Sequence, residues 1–482
     1  MVDLRPIGYV IGLLVFALGA AMLLPLGMDI FDNNGHWQVF ASSAFLTGFV
    51  GIALALSCAN STSKGLNIQQ TFLLTTGVWL ALPIFGALPF WLGATQARYV
   101  DAFFEAMSGL TTTGSTVFSG LEDLPRGLLL WRGLLQWFGG IGIIIVAMVF
   151  LPVLKIGGMQ FFRTESFDTF GKILPRAAEI ARSISSIYVG LTIACFLVYL
   201  AVGLPPFDAV VHALTTLSTG GFSTSDASFA VYSGIAEYAA AVFMILASLP
   251  FARYVQLLAG TAQPLLRDSQ IRAYLSLIVL LVLALTVYRL QVNGDRLEHS
   301  VREALFNVTS IISGTGYASV DYQLWGSFPV VIFFLVGLIG GCAGSTCCSI
   351  KIFRYQLFIA SIRAQINRIH SPHAVFSLRY QGRKVPDEVL SSVMAFFVMF
   401  MVSLGVLAVL LGLTGLDTVT ALSGAATALA NVGPGLGAEI GPSGNFSGLN
   451  DPAKWLLAAG MLIGRLELMS VYVILTIGFW RR

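Results

Sequence analysis

Four short stretches of this sequence combine hydroxyl residues and glycine in the same way. They are Thr111-Thr112-Thr113-Gly114, Leu217-Ser218-Thr219-Gly220-Gly221-Phe222, Ser313-Gly314-Thr315-Gly316-Tyr317 and Asn431-Val432-Gly433-Pro434-Gly435. Nothing in them can act as an acid, a base or a nucleophile with a partner. What they offer is backbone. Glycine takes angles closed to other residues, so a strand through it can turn its carbonyls to one side. Four such strands around one axis would form rings of carbonyl oxygens, which can replace the hydration shell of a potassium ion. The pivot glycines, Gly114, Gly220, Gly316 and Gly433, are spaced by 106, 96 and 117 residues. That spacing marks a repeated unit. One Thr/Ser-Gly run alone would read as a small-residue packing face. Four in register, each between a short and a long apolar segment, read as a filter.

The elements that must carry these strands follow from composition. The chain has 482 residues, 56% of them hydrophobic and 11% charged, with mean hydropathy +0.82. A soluble domain carries roughly 25% charge, so the expected class is an all-α polytopic membrane protein. Net charge is only +3, which implies no nucleic-acid surface. Cys58, Cys195, Cys342, Cys347 and Cys348 lie in or beside apolar segments and read as small buried hydrophobes rather than disulfides. The first apolar run is of span length and is followed by many more, so it reads as a span and not a cleavable signal.

Ten spans are expected, at roughly 7–27, 37–58, 70–92, 128–153, 184–203, 234–260, 272–291, 327–360, 388–413 and 453–480. Short re-entrant helices fall near 101–112, 207–218, 302–314 and 417–431. Asp101, Asp208 and Asp417 start three of them, where a carboxylate complements the helix dipole. The expected organisation is two extra N-terminal spans (1–66), then four units of span, re-entrant helix, filter strand and span: 67–180, 181–268, 269–386 and 387–482. The longest polar segments, 155–182 and 361–387, are connectors. With the N-terminus inside, nineteen basic residues fall in inner segments and seven in outer ones. The positive-inside rule then puts both termini in the cytoplasm, with the filter loops entering from outside. Glu122, Asp123, Glu439 and Asp451 are candidates for a negative outer vestibule.

Four span–loop–span repeats with loops TTTG, STGGF, SGTGY and NVGPG resemble the Trk/Ktr/HKT superfamily of cation transporters. Length and the two extra spans make the chain similar to its TrkH/TrkG branch of potassium uptake proteins, over essentially the whole sequence. The resemblance implies a channel-like potassium-translocating subunit of a bacterial inner membrane, a homodimer with one pore per protomer, partnered by a cytosolic nucleotide-binding regulatory ring. It implies potassium as the transported ion and no organic cofactor. Gly139-Gly140-Ile141-Gly142 lies inside a span, where no nucleotide could reach. Ion dehydration is expected at Thr112, Thr113, Gly114, Ser218, Thr219, Gly220, Gly314, Thr315, Gly316, Asn431, Val432 and Gly433.

Two further features interrupt spans. Gly340, Gly341, Cys342, Ala343, Gly344 and Ser345 open a run of small residues that would break a helix. By resemblance this run is an intramembrane loop that gates the inner side; a close-packing patch is the alternative. Arg465 is a charge within the last span, which is costly and points to function. By resemblance it projects into the pore below the filter; a structural ion pair is the alternative. Glu467 is two residues on and does not share its helix face. His212 reads as a packed polar residue, and the five histidines form no cluster. Other readings keep the fold and change the ion to sodium, or make the chain a proton-coupled carrier, for which Arg465 and Glu467 are the only obvious ionisable candidates. An intramembrane enzyme lacks a nucleophile–base pair.

Overall fold

The computed structural model describes residues 2–61, 66–150, 158–159, 177–371 and 378–481. Most of the connector expected at 155–182, and the end of the span expected at 128–153, lie outside these residues.

Among the described residues, seven helices are long and apolar enough to cross a membrane: Arg5–Phe31, Trp37–Cys58, Ile68–Leu92, Arg126–Met148, Ala181–Ala201, Ser269–Asn293 and Asp387–Leu413. Local chemistry sets the start of the third. Before Ile68, the Asn67 side chain accepts from the Gln70 N–H at 2.7 Å while the Gln70 side chain accepts from the Asn67 N–H at 2.9 Å, a reciprocal cap. The expected span 234–260 is a pair of helices, Ile235–Ala247 and Phe251–Leu258, bent by 89°. Pro250, which has no N–H to continue the ladder, stands at the bend.

The expected spans 327–360 and 453–480 are not continuous helices. The first is Ser327–Gly337, then irregular backbone, then Ile352–His370. The second is Asp451–Arg465, a turn with Glu467 and Leu468 at φ +55° and +52°, then the short helix Met469–Ile474. Irregular backbone at membrane depth is tolerable where protein buries it. Residues 340–348 are buried throughout.

Four short helices match the expected re-entrant segments: Tyr99–Leu110, Pro206–Leu217, Leu297–Ser313 and Thr418–Ala430, here called pore helices 1 to 4. Asp417 caps the fourth, accepting from the N–H groups of Val419 and Thr420 at 3.0 and 3.1 Å. Two large apolar clusters wrap them. One, with Phe229, Phe306 and Tyr317, surrounds pore helices 2 and 3. The other, with Phe104, Trp131, Phe446 and Met461, surrounds pore helices 1 and 4. On the outside the usual order is inverted: Phe45, Phe49, Val398 and Val409 are largely exposed, as suits a surface facing hydrocarbon.

Ion pairs lock the units together. Glu105 of pore helix 1 meets Arg132 of the neighbouring span at 2.8 Å, both buried. The Arg132 guanidinium also donates to the Ser223 carbonyl at 2.7 Å, beyond the second loop, and stacks over Phe222 at 4.2 Å. Lys454 reaches Asp101 at 2.6 Å and ties the last unit to the first. Removing one member of a buried pair strands the other charge, at a cost of about 3–5 kcal/mol. Arg132→Met is therefore expected to lower the detergent melting temperature sharply, and Arg132→Met with Glu105→Leu to recover part of the loss. Thermal melts of the purified variants check this; a double variant no more stable than the single one would contradict it.

Candidate ion pathway

Each pore helix ends in the left-handed region. Thr112, Thr219, Gly314 and Asn431 have φ of +52°, +51°, +75° and +51°. Such a residue closes many helices, but for a β-branched threonine it is a strained choice. Two residues on, Gly114, Gly221, Gly316 and Gly433 have φ of +86°, +79°, +80° and +102°. The pivot of the second loop is thus Gly221, one residue later than the expected Gly220, and Gly220 itself is not in the left-handed region. The triplets that correspond are Thr112-Thr113-Gly114, Thr219-Gly220-Gly221, Gly314-Thr315-Gly316 and Asn431-Val432-Gly433. Ser218 then matches Thr111, a helix cap. Two adjacent glycines look equivalent in sequence, and only the backbone angles separate them.

The four glycines face carbonyls in a closed cycle. A methyl group on Gly114 would overlap the carbonyl of Gly220. One on Gly221 would overlap that of Thr315, and one on Gly316 that of Val432. One on Gly433 would lie 2.8 Å from the carbonyl of Thr113. The strands therefore meet in chain order, first to second to third to fourth and back to the first. The middle residues of the triplets, Thr113, Gly220, Thr315 and Val432, place their carbonyl oxygens in one ring. Above the ring lies a cavity of about 200 Å³ lined by all four glycines, with Ser115, Phe222, Pro434 and Asp226.

One acid outside the expected set stands at this cavity. Asp226 lines it, accepting from the N–H groups of Gly120 and Leu121 at 2.6 and 3.1 Å. Glu122, Asp123, Glu439 and Asp451 are not among its lining residues. Glu122 accepts from the Ser225 hydroxyl at 2.5 Å, which with nearby N–H groups holds its carboxyl below the usual range. Asp451 pairs with Arg98 at 2.8 Å.

The interrupted span passes the opposite end of the strands. The Cys348 thiol is 3.8 Å from the Thr112 hydroxyl, and the Ser349 N–H donates to the Ala430 carbonyl at 3.0 Å, where pore helix 4 ends. The run Gly340 to Ser345 is held by the bent helix pair: Cys342 N–H donates to the Ser248 carbonyl at 3.0 Å, and Phe251 N–H to the Gly344 carbonyl at 2.9 Å. Ala343 N–H donates to the Gln270 side chain at 2.9 Å, and the Ser345 hydroxyl to the Cys342 carbonyl at 2.7 Å. Gly341 packs on the Cys347 thiol.

Arg465 closes this layer. It is 2% exposed, and its guanidinium donates to the carbonyls of Thr346 at 3.3 Å and Gly139 at 3.2 Å and touches the Cys348 sulfur. No ion pair of Arg465 occurs among the described residues; Glu467 binds Arg354 instead. The structural ion pair considered for Arg465 is not found among the described residues. His212 is packed, with Nδ1 on the Asp208 carbonyl at 2.8 Å and Nε2 on the Ser223 hydroxyl at 3.1 Å. No group of three or more His, Cys, Asp or Glu residues that could hold a metal occurs among the described residues. The oxygens that the four glycines face are backbone carbonyls.

Asn431, expected among the ion-dehydrating residues, also has a side chain with partners the sequence does not indicate. Its side-chain amide donates to the Thr113 hydroxyl and to the Met461 carbonyl, both at 2.9 Å, and so joins the fourth strand to the first. Gln136 and the Glu105–Arg132 pair also contact the loops, and neither carries a sequence signal beyond a polar residue in or beside an apolar run.

Residues 36–479 match the family described as TrkH, cation transport protein. The chain is 43% identical over 486 residues to the Trk system potassium uptake protein TrkI of Halomonas elongata, covering 99% of this chain and 97% of that one. It is 35% identical over 491 residues to the Trk system potassium uptake protein TrkH of Escherichia coli, covering 99% of each. The crystal structure of the potassium transporter TrkH from Vibrio parahaemolyticus superposes with a TM-score of 0.91 at 33% identity, covering both chains completely.

The cycle of contacts has a graded consequence. A methyl group has least room at Gly221 and Gly316 and most at Gly433, and overpacking costs about 1–3 kcal/mol. Gly221→Ala and Gly316→Ala are expected to lower the melting temperature more than Gly433→Ala. Equal losses at the three positions would contradict the ring.

Proposed function

This chain belongs to the TrkH family of cation transport proteins, and from that premise we propose that it is the potassium-translocating subunit of a Trk-type uptake system. It is a transporter and not an enzyme. The observation that carries the reading is the closed cycle in which four glycines meet the carbonyls of Thr113, Gly220, Thr315 and Val432. We read the chain as four pseudo-repeated units around that axis, after two extra N-terminal spans, in a bacterial inner membrane with both termini cytoplasmic.

In this account an ion enters from the cavity beside Asp226 and sheds its water on the carbonyls. The contributing residues are the four triplets as the backbone aligns them: Thr112 to Gly114, Thr219 to Gly221, Gly314 to Gly316, and Asn431 to Gly433. The pore helices end beside them, so their partial negative charges, about half a unit each, favour a cation. Below, Cys348 and the run Gly340 to Ser345 obstruct the way out, and Arg465 adds a positive barrier. Two unit charges 4 Å apart interact by about 4 kcal/mol at an effective dielectric near 20, enough to close a pathway until the loop and the arginine move aside. A cytosolic nucleotide-binding ring is the proposed source of that movement, and a homodimer the proposed assembly. A proton-coupled mechanism would want a titratable group on the axis, and Glu467 is instead engaged by Arg354.

Rubidium and sodium flux into liposomes holding the purified protein test both parts. Gly114→Ser is expected to lower potassium-over-sodium selectivity, because its side chain would displace the Gly220 carbonyl; unchanged selectivity at normal expression would remove this loop from the filter. Arg465→Ala is expected to raise cation flux without loss of fold, with Arg465→Lys close to the parent. A destabilised, less active alanine variant would refute the barrier.

A further inference from the structure

Three of the ring carbonyls belong to residues with side chains, Thr113, Thr315 and Val432, and the fourth belongs to Gly220. The difference has a neighbour that accounts for it. Gln136, fully buried in the helix Arg126–Ile145, points its side-chain amide at the second strand. Its Nε2 donates to the Gly220 carbonyl at 2.5 Å, and its Oε1 accepts from the Phe222 N–H at 3.0 Å. The two bonds bracket Gly221, the left-handed pivot, and the Phe222 N–H fixes which end of the amide faces Gly220. A methyl group on Gly220 would overlap the amide carbon of Gln136. The amide occupies the space that a side chain fills in the other loops.

Among the described residues, no side chain donates to the carbonyls of Thr113, Thr315 or Val432. The ring is therefore unequal: three oxygens are free to follow an ion, and one is tethered. We propose that Gln136 is a positioning residue that sets the ion preference of the ring by holding the Gly220 carbonyl in place. A smaller ion is served well only if all the oxygens close in on it. A carbonyl already bonded to an amide resists that contraction and has a lone pair engaged elsewhere. The tether leaves a potassium-sized ring as built and weakens the response to sodium, whichever of cavity size and carbonyl field dominates. This role presupposes the filter proposed above.

The test uses the full-length protein in liposomes, reading the potassium-over-sodium permeability ratio beside the melting temperature. Gln136→Met keeps the bulk and removes both bonds; the ratio is expected to fall by up to about tenfold, the weight of one buried hydrogen bond. The double variant Gln136→Ala with Gly220→Thr refills the space with the residue type of the first and third loops. Gly220 lies outside the left-handed region, so threonine is admissible there. This variant is expected to melt near the parent and still pass more sodium, a result that a purely structural glutamine would not give. A parent-like ratio in either variant overturns the proposal. Gly316→Ala in the same assay separates the layers. If it lowers the ratio while the Gln136 variants do not, only the glutamine role falls; if it leaves the ratio unchanged, the filter itself is wrong.

Discussion

Four carbonyl oxygens can share one ring here because the residue facing each of them from the next strand has no side chain. Gly114, Gly221, Gly316 and Gly433 meet those carbonyls inside the distance a methyl group needs, or at its limit. The same glycines hold φ between +79° and +102°, which an L side chain resists. Close approach and backbone angle thus impose the same choice at four positions about a hundred residues apart. The contacts around the ring keep four stretches of chain, far apart in sequence, in register at once.

Much of that support is polar and buried, which costs less the more of its groups find partners. The Glu105 carboxylate takes bonds from Arg132, from the Thr116 hydroxyl at 2.9 Å and from the Val117 N–H at 3.0 Å. Asn431 bridges the fourth and first strands, and Gln136 grips the second. Close helix contact does the rest: a methyl group on Gly139 would overlap the Leu110 carbonyl at the end of pore helix 1, and one on Gly464 the Leu429 carbonyl in pore helix 4. The inner layer follows the same logic. Arg465 has no carboxylate partner among the described residues, and it is tolerated because backbone carbonyls of distant residues receive it. A guanidinium held in part by a loop carbonyl, that of Thr346, loses that hold when the loop moves, whereas one locked to a buried carboxylate could not be released as cheaply.

The sequence made the four loops legible because hydroxyl and glycine residues are rare company for short apolar segments. Gly114, Gly316 and Gly433 could be picked out singly. Gly221 could not, since Gly220 beside it offers the same freedom and the distinction lies in what Gln136 occupies. The break at Gly340–Ser345 announced itself by small residues. The break after Arg465 did not, because Glu467 and Leu468 adopt positive φ with no glycine to mark it. Pro250 did mark the 89° bend, inside a run apolar enough to read as a straight span. The charge at 465 stood out, but its acceptor Gly139 is 326 residues away in the chain, and no local pattern carries such a pairing. Polar residues such as Gln136 are ambiguous for the same reason: their role depends on the strand they meet.

A dehydrated ion is expected to rest inside the ring of carbonyls. Crystals of the protein grown in rubidium, measured at the rubidium absorption edge, would locate it by anomalous scattering. The expected result is a peak on the axis among the carbonyls of Thr113, Gly220, Thr315 and Val432, lost when sodium replaces rubidium. Rubidium found only in the cavity beside Asp226, with none inside the ring, would contradict it.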